Sequence, residues 1–170
     1  MNIFINKSEN DKLKIVTGDL LSLAEAGEFD VIVQGCNCFN VMGAGLARQI
    51  RSKYPTAYAA DHMTTAGNYD KLGTYTIAPS DLDPKKSKFI IVNAYTQFDF
   101  SRGKDVFEYN AFALILQKLK HKFPKARFGF PLIGCGLAGG DEGRIMGMLE
   151  DFARKINGFG GSVTLVRYQE

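Results

Sequence analysis

The chain has 170 residues and a net charge of +3, from 21 basic and 18 acidic side chains, with 45% of residues hydrophobic and 23% charged. That composition excludes a disordered, fibrous or repeat protein, and the charge is too small for a surface that coats nucleic acid. The longest apolar runs, such as Phe89 to Val92 and Ala111 to Leu116, fall far short of the ~20 residues that span a bilayer.

A single domain over residues 1–170 is therefore expected, with no membrane partner. The cysteines, Cys36, Cys38 and Cys135, are an odd number, and Met1 is not followed by a basic and then apolar signal segment. A reduced, cytoplasmic protein without a disulfide framework is the expectation.

In chain order, Ile3 to Ile5 reads as an edge strand and Leu13 to Val16 as the first inner one. Asp19 then opens the segment Leu20 to Ala26. Val31 to Gln34 is the next strand, and a helix from Ala44 to Lys53 turns Leu46, Ala47 and Ile50 inward before stopping ahead of Pro55. A weaker helix covers Ala57 to Thr65. The strand Thr74 to Ala78 is joined to the strand Phe89 to Ala94 by a polar connection, Ser80 to Ser87. Phe112, Ile115, Leu116 and Leu119 recur at the spacing of one buried helix face, as do Ile145, Met148, Leu149, Phe152 and Ile156. Between those helices lies the strand Phe128 to Pro131, and Val163 to Tyr168 is the last. Alternating strands and helices argue a layered α/β fold. Most of the strands are continuous apolar runs, as strands covered on both faces are.

Glycine collects where strands end and helices begin. One cluster runs from Gly35 to Gly45 between the Val31 strand and the Ala44 helix. The other runs from Pro131 to Asp141, between the Phe128 strand and the helix containing Ile145. A strand, a glycine-rich loop and a helix N-terminus present backbone N–H groups and a helix dipole to a phosphate. Two such loops point to a diphosphate. Neither is a P-loop, since no Gly-Lys-Ser/Thr follows, and the dinucleotide fingerprint G-x-G-x-x-G is missing from the first strand-to-helix turn.

Several of the residues in these loops also have plain structural readings. Asp141 and Asp19 each stand directly before a helix, where Asp is a common N-cap. Asn37 suits a left-handed turn position. The three cysteines have no histidine near them in sequence and read as core thiols rather than nucleophiles. Cys36-Asn37-Cys38 lacks zinc-knuckle spacing, and His62 and His121 lie on helical segments, so no metal is expected.

Gly18-Asp19-Leu20-Leu21, the loop Asn37 to Gly45, and Ile133-Gly134-Cys135-Gly136-Leu137-Ala138-Gly139-Gly140-Asp141 resemble, in order, the three signatures of macrodomains, the ADP-ribose-binding fold. The Gly-Leu-Ala-Gly-Gly-Asp form is most similar to the branch holding ADP-ribose-1''-phosphate phosphatases and terminal ADP-ribose glycohydrolases. The resemblance implies a three-layer α/β/α fold with a mixed, mostly parallel central sheet. It also implies ADP-ribose or a derivative as ligand, no cofactor, and an ADP-ribosylated protein or nucleic acid as a further partner.

Carried over by position, Asp19 would receive the adenine amino group and Tyr168 would stack on the adenine, although Tyr168 also reads as closing the sheet edge. Gly43, Ala44 and Gly45 would line one side of the diphosphate, and Gly134, Cys135, Gly136 and Leu137 the other. Asn37 would reach the distal ribose, and Asp141 would act at the anomeric carbon.

Two departures stand out. The glycohydrolase members use a lysine after the central strand to form a sugar adduct, and here the stretch is Asn93-Ala94-Tyr95-Thr96-Gln97. After Gly-Gly-Asp the phosphatase-like members carry an aromatic, where this chain has Glu142 and Gly143. A non-catalytic ADP-ribose reader is the alternative that these departures favour.

Overall fold

The computed structural model describes residues 13–100, 106–135 and 138–168; the edge strand expected at Ile3 to Ile5 lies outside them. In order, the elements are β1 (Lys14–Gly18), α1 (Leu20–Glu25), β2 (Val31–Asn37), α2 (Gly45–Lys53), α3 (Pro55–His62), a 3₁₀ turn (Tyr69–Lys71), β3 (Tyr75–Pro79), β4 (Ile90–Gln97), α4 (Tyr109–Lys122), β5 (Arg127–Phe130), α5 (Glu142–Gly158) and β6 (Ser162–Tyr168). The strands form one sheet in the order β1-β6-β5-β2-β4-β3. Every neighbouring pair is parallel except β3 with β4. The sheet is thus mixed and mostly parallel.

Alternate residues of each strand feed opposite faces. Val31 and Val33 join Phe128, Phe130, Val163 and Leu165 under α4 and α5. Ile32, Ile91 and Val166 face the other way, against Leu20 and Leu21 of α1, Ile50 of α2 and Ala57 of α3. Two covered faces explain the continuous apolar runs in β2 and β4. The edge strand β1 departs from that pattern, with Ile15 50% and Val16 39% exposed.

Most boundaries differ from the sequence reading by one or two residues, and β2, β4 and the weaker helix, which ends at His62 rather than Thr65, differ by three at one end. β2 runs on to Asn37 and β4 to Gln97, because their parallel ladder continues through Gly35–Ala94 and Cys36–Tyr95 to a bulge before the Asn37–Gln97 pair. Gly35, Asn93 and Thr96 therefore sit inside strands where apolar continuity stops. The weaker helix starts at Pro55 rather than Ala57, since a first-turn proline loses no intrahelical bond.

The Asp30 carboxylate clamps the start of β5, accepting from the Arg127 backbone N–H at 2.8 Å and from its guanidinium at 2.9 and 3.2 Å. Those hydrogen bonds from Arg127 hold the Asp30 carboxyl below its usual value. A depressed carboxylate contributes stability above its unfolded pKa of about 4 and loses it as pH falls through the lower folded value. Asp30→Asn should therefore flatten the acid limb of thermal stability measured between about pH 5 and pH 2. The gain lost is small, because the pair is about half exposed. In the core, Phe128 is fully buried against Phe130 and Phe152, with ring centroids 6.1 and 5.1 Å away. Phe128→Ala should cost about 3–5 kcal/mol in urea unfolding.

Candidate functional site

Parallel pairing brings the carboxyl ends of β1, β6, β5, β2 and β4 to one edge of the sheet. From β2 the chain moves outward to β4 and β3 and later returns to β5 on the other side, so the gap beyond β2 and β5 is a topological switch point. A crevice of about 430 Å³ opens there, between the loops that follow those two strands.

The first wall is the β2–α2 loop. Asn37 ties it internally: its Oδ1 accepts from Phe39 N at 3.0 Å and Val41 N at 3.3 Å, and its Nδ2 donates to Val41 O at 2.8 Å. Asn40 holds φ +61°, the left-handed conformation that Asn tolerates. Gly45 adopts φ +57° at the start of α2. The N-cap of α2 is Ala44, whose side chain offers no hydrogen bond. Its first-turn N–H groups have no intrahelical partner, and Gly45, Leu46 and Ala47 of that turn all line the crevice, as do Asn37, Gly43 and Ala44.

The second wall is the β5–α5 loop, with Leu132, Ile133, Gly134 and Ala138 on the crevice. Gly134 sits at φ +76° with the Phe107 ring packed where a Cβ would stand. Its carbonyl accepts from Gly140 N at 2.7 Å, closing the loop on itself. Gly35 lies between the walls, where a Cβ would come within 3.1 Å of both Ile133 and Thr96. Gly136 and Leu137, expected on this wall, lie outside the described residues, and the half-buried Cys135 is not on the crevice surface.

Two aspartates cap helices. Asp19 accepts from Ser22 N and Asp141 from Arg144 N, each at 2.8 Å. Asp141 is also fixed by its own N–H, which donates to Tyr109 Oη at 2.7 Å, while the Arg144 guanidinium stacks 3.8 Å from the Tyr109 ring centre. Asp141 is exposed and stands off the crevice wall. Asp19 and Tyr168 come together at the far end of the same edge, since Gly18 pairs with Tyr168 in the β1–β6 ladder; Tyr168 is 69% exposed.

The thiols are poor nucleophiles. Burial pushes Cys36 well up, with the Asp61 charge adding to it, and burial raises Cys38 and Cys135 as well. Sequence reasoning missed Gln97, at the end of β4, and Phe100, just after it, both of which line the crevice. Among the described residues no group of three or more His, Cys, Asp and Glu is placed to hold a metal, and no helix is long and apolar enough to cross a membrane.

The fold is matched by solved macrodomains. That of Mycobacterium tuberculosis DarG superposes with a TM-score of 0.68, at 21% identity over 93% of this chain and 99% of that one. Thermosipho africanus DarTG, solved in complex with ADP-ribose, gives a TM-score of 0.66 at 15% identity, over 94% of this chain and 42% of that one. A Bacteroides thetaiotaomicron protein of unknown function gives 0.75 at 20% identity, over 92% of this chain and 99% of that one. In fold, then, the chain is a macrodomain. It belongs to one sequence family with the uncharacterized 17.5 kDa protein of the tk-vs intergenic region of Enterobacteria phage T4, to which it is 32% identical over 149 residues, 85% of this chain and 92% of that protein. No family model matches the sequence.

Positive φ and the Phe107 ring both bar a side chain at Gly134, so Gly134→Ala should destabilise the protein by about 1–3 kcal/mol in chemical denaturation. Asp19→Ala should cost about 0.5–2 kcal/mol through loss of the α1 cap alone.

Proposed function

We propose that the chain binds ADP-ribose in the crevice between the β2–α2 and β5–α5 loops and hydrolyses a group carried on its distal ribose. The reaction class is that of an ADP-ribose-1''-phosphate phosphatase or a de-ADP-ribosylating hydrolase acting on protein or nucleic acid. One observation carries the binding half: α2 lacks a side-chain cap, and its first turn lies open to the crevice. Uncapped N–H groups with a helix dipole behind them bind a phosphate oxygen well. The crevice is walled by two glycine loops. A protein of the same fold was solved with ADP-ribose.

In this reading Gly43, Ala44 and Gly45 meet one phosphate and Gly134, with Gly136 and Leu137, meets the other, while Cys135 stands off the crevice surface. Asp19 takes the adenine amino group and Tyr168 stacks on the base, at the end of the edge away from Gln97. Asn37 keeps one Nδ2 hydrogen beyond its bond to Val41 O, enough to orient a ribose hydroxyl. Asp141 serves as general base toward water or general acid toward the leaving group, by the carboxylate oxygen not used in capping.

A second reading, binding without turnover, draws on the position of Asp141 off the crevice wall, on the absence of a lysine from the stretch Asn93 to Gln97, and on Glu142 where an aromatic would follow the aspartate.

Isothermal titration should give a one-to-one complex with ADP-ribose, and Gly45→Val, with a β-branched side chain at positive φ beside the phosphate, should abolish it. Binding of ATP or NAD without ADP-ribose would overturn the reading. Asn at position 141 keeps the capping oxygen, so Asp141→Asn should bind ADP-ribose as the parent does while turnover of the correct adduct falls about 10²–10⁴-fold. Binding without any turnover by the parent would leave the reader.

A further inference from the structure

Lys71 closes the 3₁₀ turn before β3 and is only 6% exposed. A surface lysine normally lays its stem on the protein and keeps its ammonium in water. This one turns its ammonium inward, where desolvation is costly, and burial pulls its pKa below the usual lysine value against the opposing charge of Asp61.

Its hydrogen-bond partners belong to a single segment. Lys71 Nζ donates to the Cys38 carbonyl at 3.1 Å and to Asn40 Oδ1 at 2.5 Å. Both acceptors lie on the side of the β2–α2 loop away from the crevice, and neither residue is on the crevice surface. The ammonium also sits 4.6 Å from the centre of the Tyr95 ring, whose hydroxyl donates to the buried Asp61 carboxylate at 2.8 Å. The loop is gripped by further bonds at the same two residues. Gly67 N donates to Cys38 O at 2.7 Å, and Asn40 Nδ2 donates to Thr64 O at 3.0 Å.

If packing were its only task, a methionine would fill this place without burying a charge. We propose that Lys71 is a positioning residue for the crevice: its buried ammonium pins Cys38 and Asn40 from behind and so holds the N–H groups of Gly43 to Ala47 toward the bound phosphate. The proposal rests on the ADP-ribose reading for its ligand but not for the pinning itself. Asn40 is the joint of the device. Its left-handed backbone turns the loop toward α2, and its side chain carries the link to Lys71.

The test is amide hydrogen exchange by NMR on Lys71→Met, read beside ADP-ribose titration. Loop amides from Cys38 to Ala47 should exchange faster and shift, while those of β2, β4 and β5 keep their parent protection. ADP-ribose affinity should fall about tenfold or more, as expected on losing hydrogen bonds to a charged donor. A merely structural lysine would lower the melting temperature and leave loop exchange and affinity, measured well below it, unchanged; that result overturns the proposal.

Asn40→Gly gives a milder variant, since glycine accepts the same backbone conformation while removing the acceptor. Should Lys71→Met not fold, Lys71→Gln, which removes the charge and leaves the bonds between Asn40 and Thr64 in place, is measured instead: faster exchange confined to the same loop amides carries the proposal, and parent-like exchange sinks it. With all variants folded, Lys71→Met and Asn40→Gly should be strongly non-additive in the double variant, and simple additivity counts against the pin. If the parent fails to bind ADP-ribose, the functional reading falls, and loop exchange alone decides the role of Lys71.

Discussion

The site depends above all on the parallel pairing of β2 with both β4 and β5. Parallel neighbours end at the same edge, so everything the chain places after them arrives in one row: the Asn37 loop, the Gly134 loop and Gln97. How closely Ile133 approaches β2 then depends on what is absent at Gly35. A Cβ there would press on Ile133 from one side and Thr96 from the other, and the crevice would widen or its floor would buckle. A residue with no side chain thus lets Ile133 of the second wall pack close to β2 and Thr96 of β4.

Within that frame, four helix N-termini, those of α1, α2, α4 and α5, face the same edge; α2 and α4 carry no side-chain cap, and of these two the first turn of α2 lines the crevice. Asp19 closes α1 and Asp141 closes α5, each by the same 2.8 Å bond to the third residue on. Ala44 leaves α2 open. The capped helices satisfy their own donors, whereas α2 keeps donors for something that enters the crevice. The same contrast separates local from ligand-directed roles for identical residue types. An aspartate bonded to its own helix spends one carboxylate oxygen there and presents the other.

Much of this was legible in the sequence, for physical reasons that can be named. Glycine loops between apolar strands and periodic helices marked both walls, and the apolar stripes of α4 and α5 gave the core face. Asp19 and Asp141 announced themselves as caps by standing just before a helix. What could not be read depends on contacts distant along the chain. Nothing in the run Tyr95 to Gln97 says that a ladder with β2 carries it on as strand. Nothing near Gly134 reveals that Phe107 fills the space of its missing side chain. Lys71 has no sequence mark at all: its burial follows from Cys38 and Asn40 of the β2–α2 loop, Asp61 of α3 and Tyr95 of β4 closing around it, from three separate parts of the chain.

The strand order carries a consequence for assembly. β1 is the first described strand in the chain, yet its one neighbour in the described sheet is β6, the last. The pair Lys14–Thr164 spans nearly the full described length, so the loop closed by forming it is about the longest this fold contains. Until β6 slots between β1 and β5, β1 has no partner among the described strands. A chain emerging from the ribosome would hold that half-finished edge for most of its synthesis, and contacts of such long range slow the final step. The period of greatest exposure to mispairing with another copy is therefore built into the topology, and it ends when the last strand inserts.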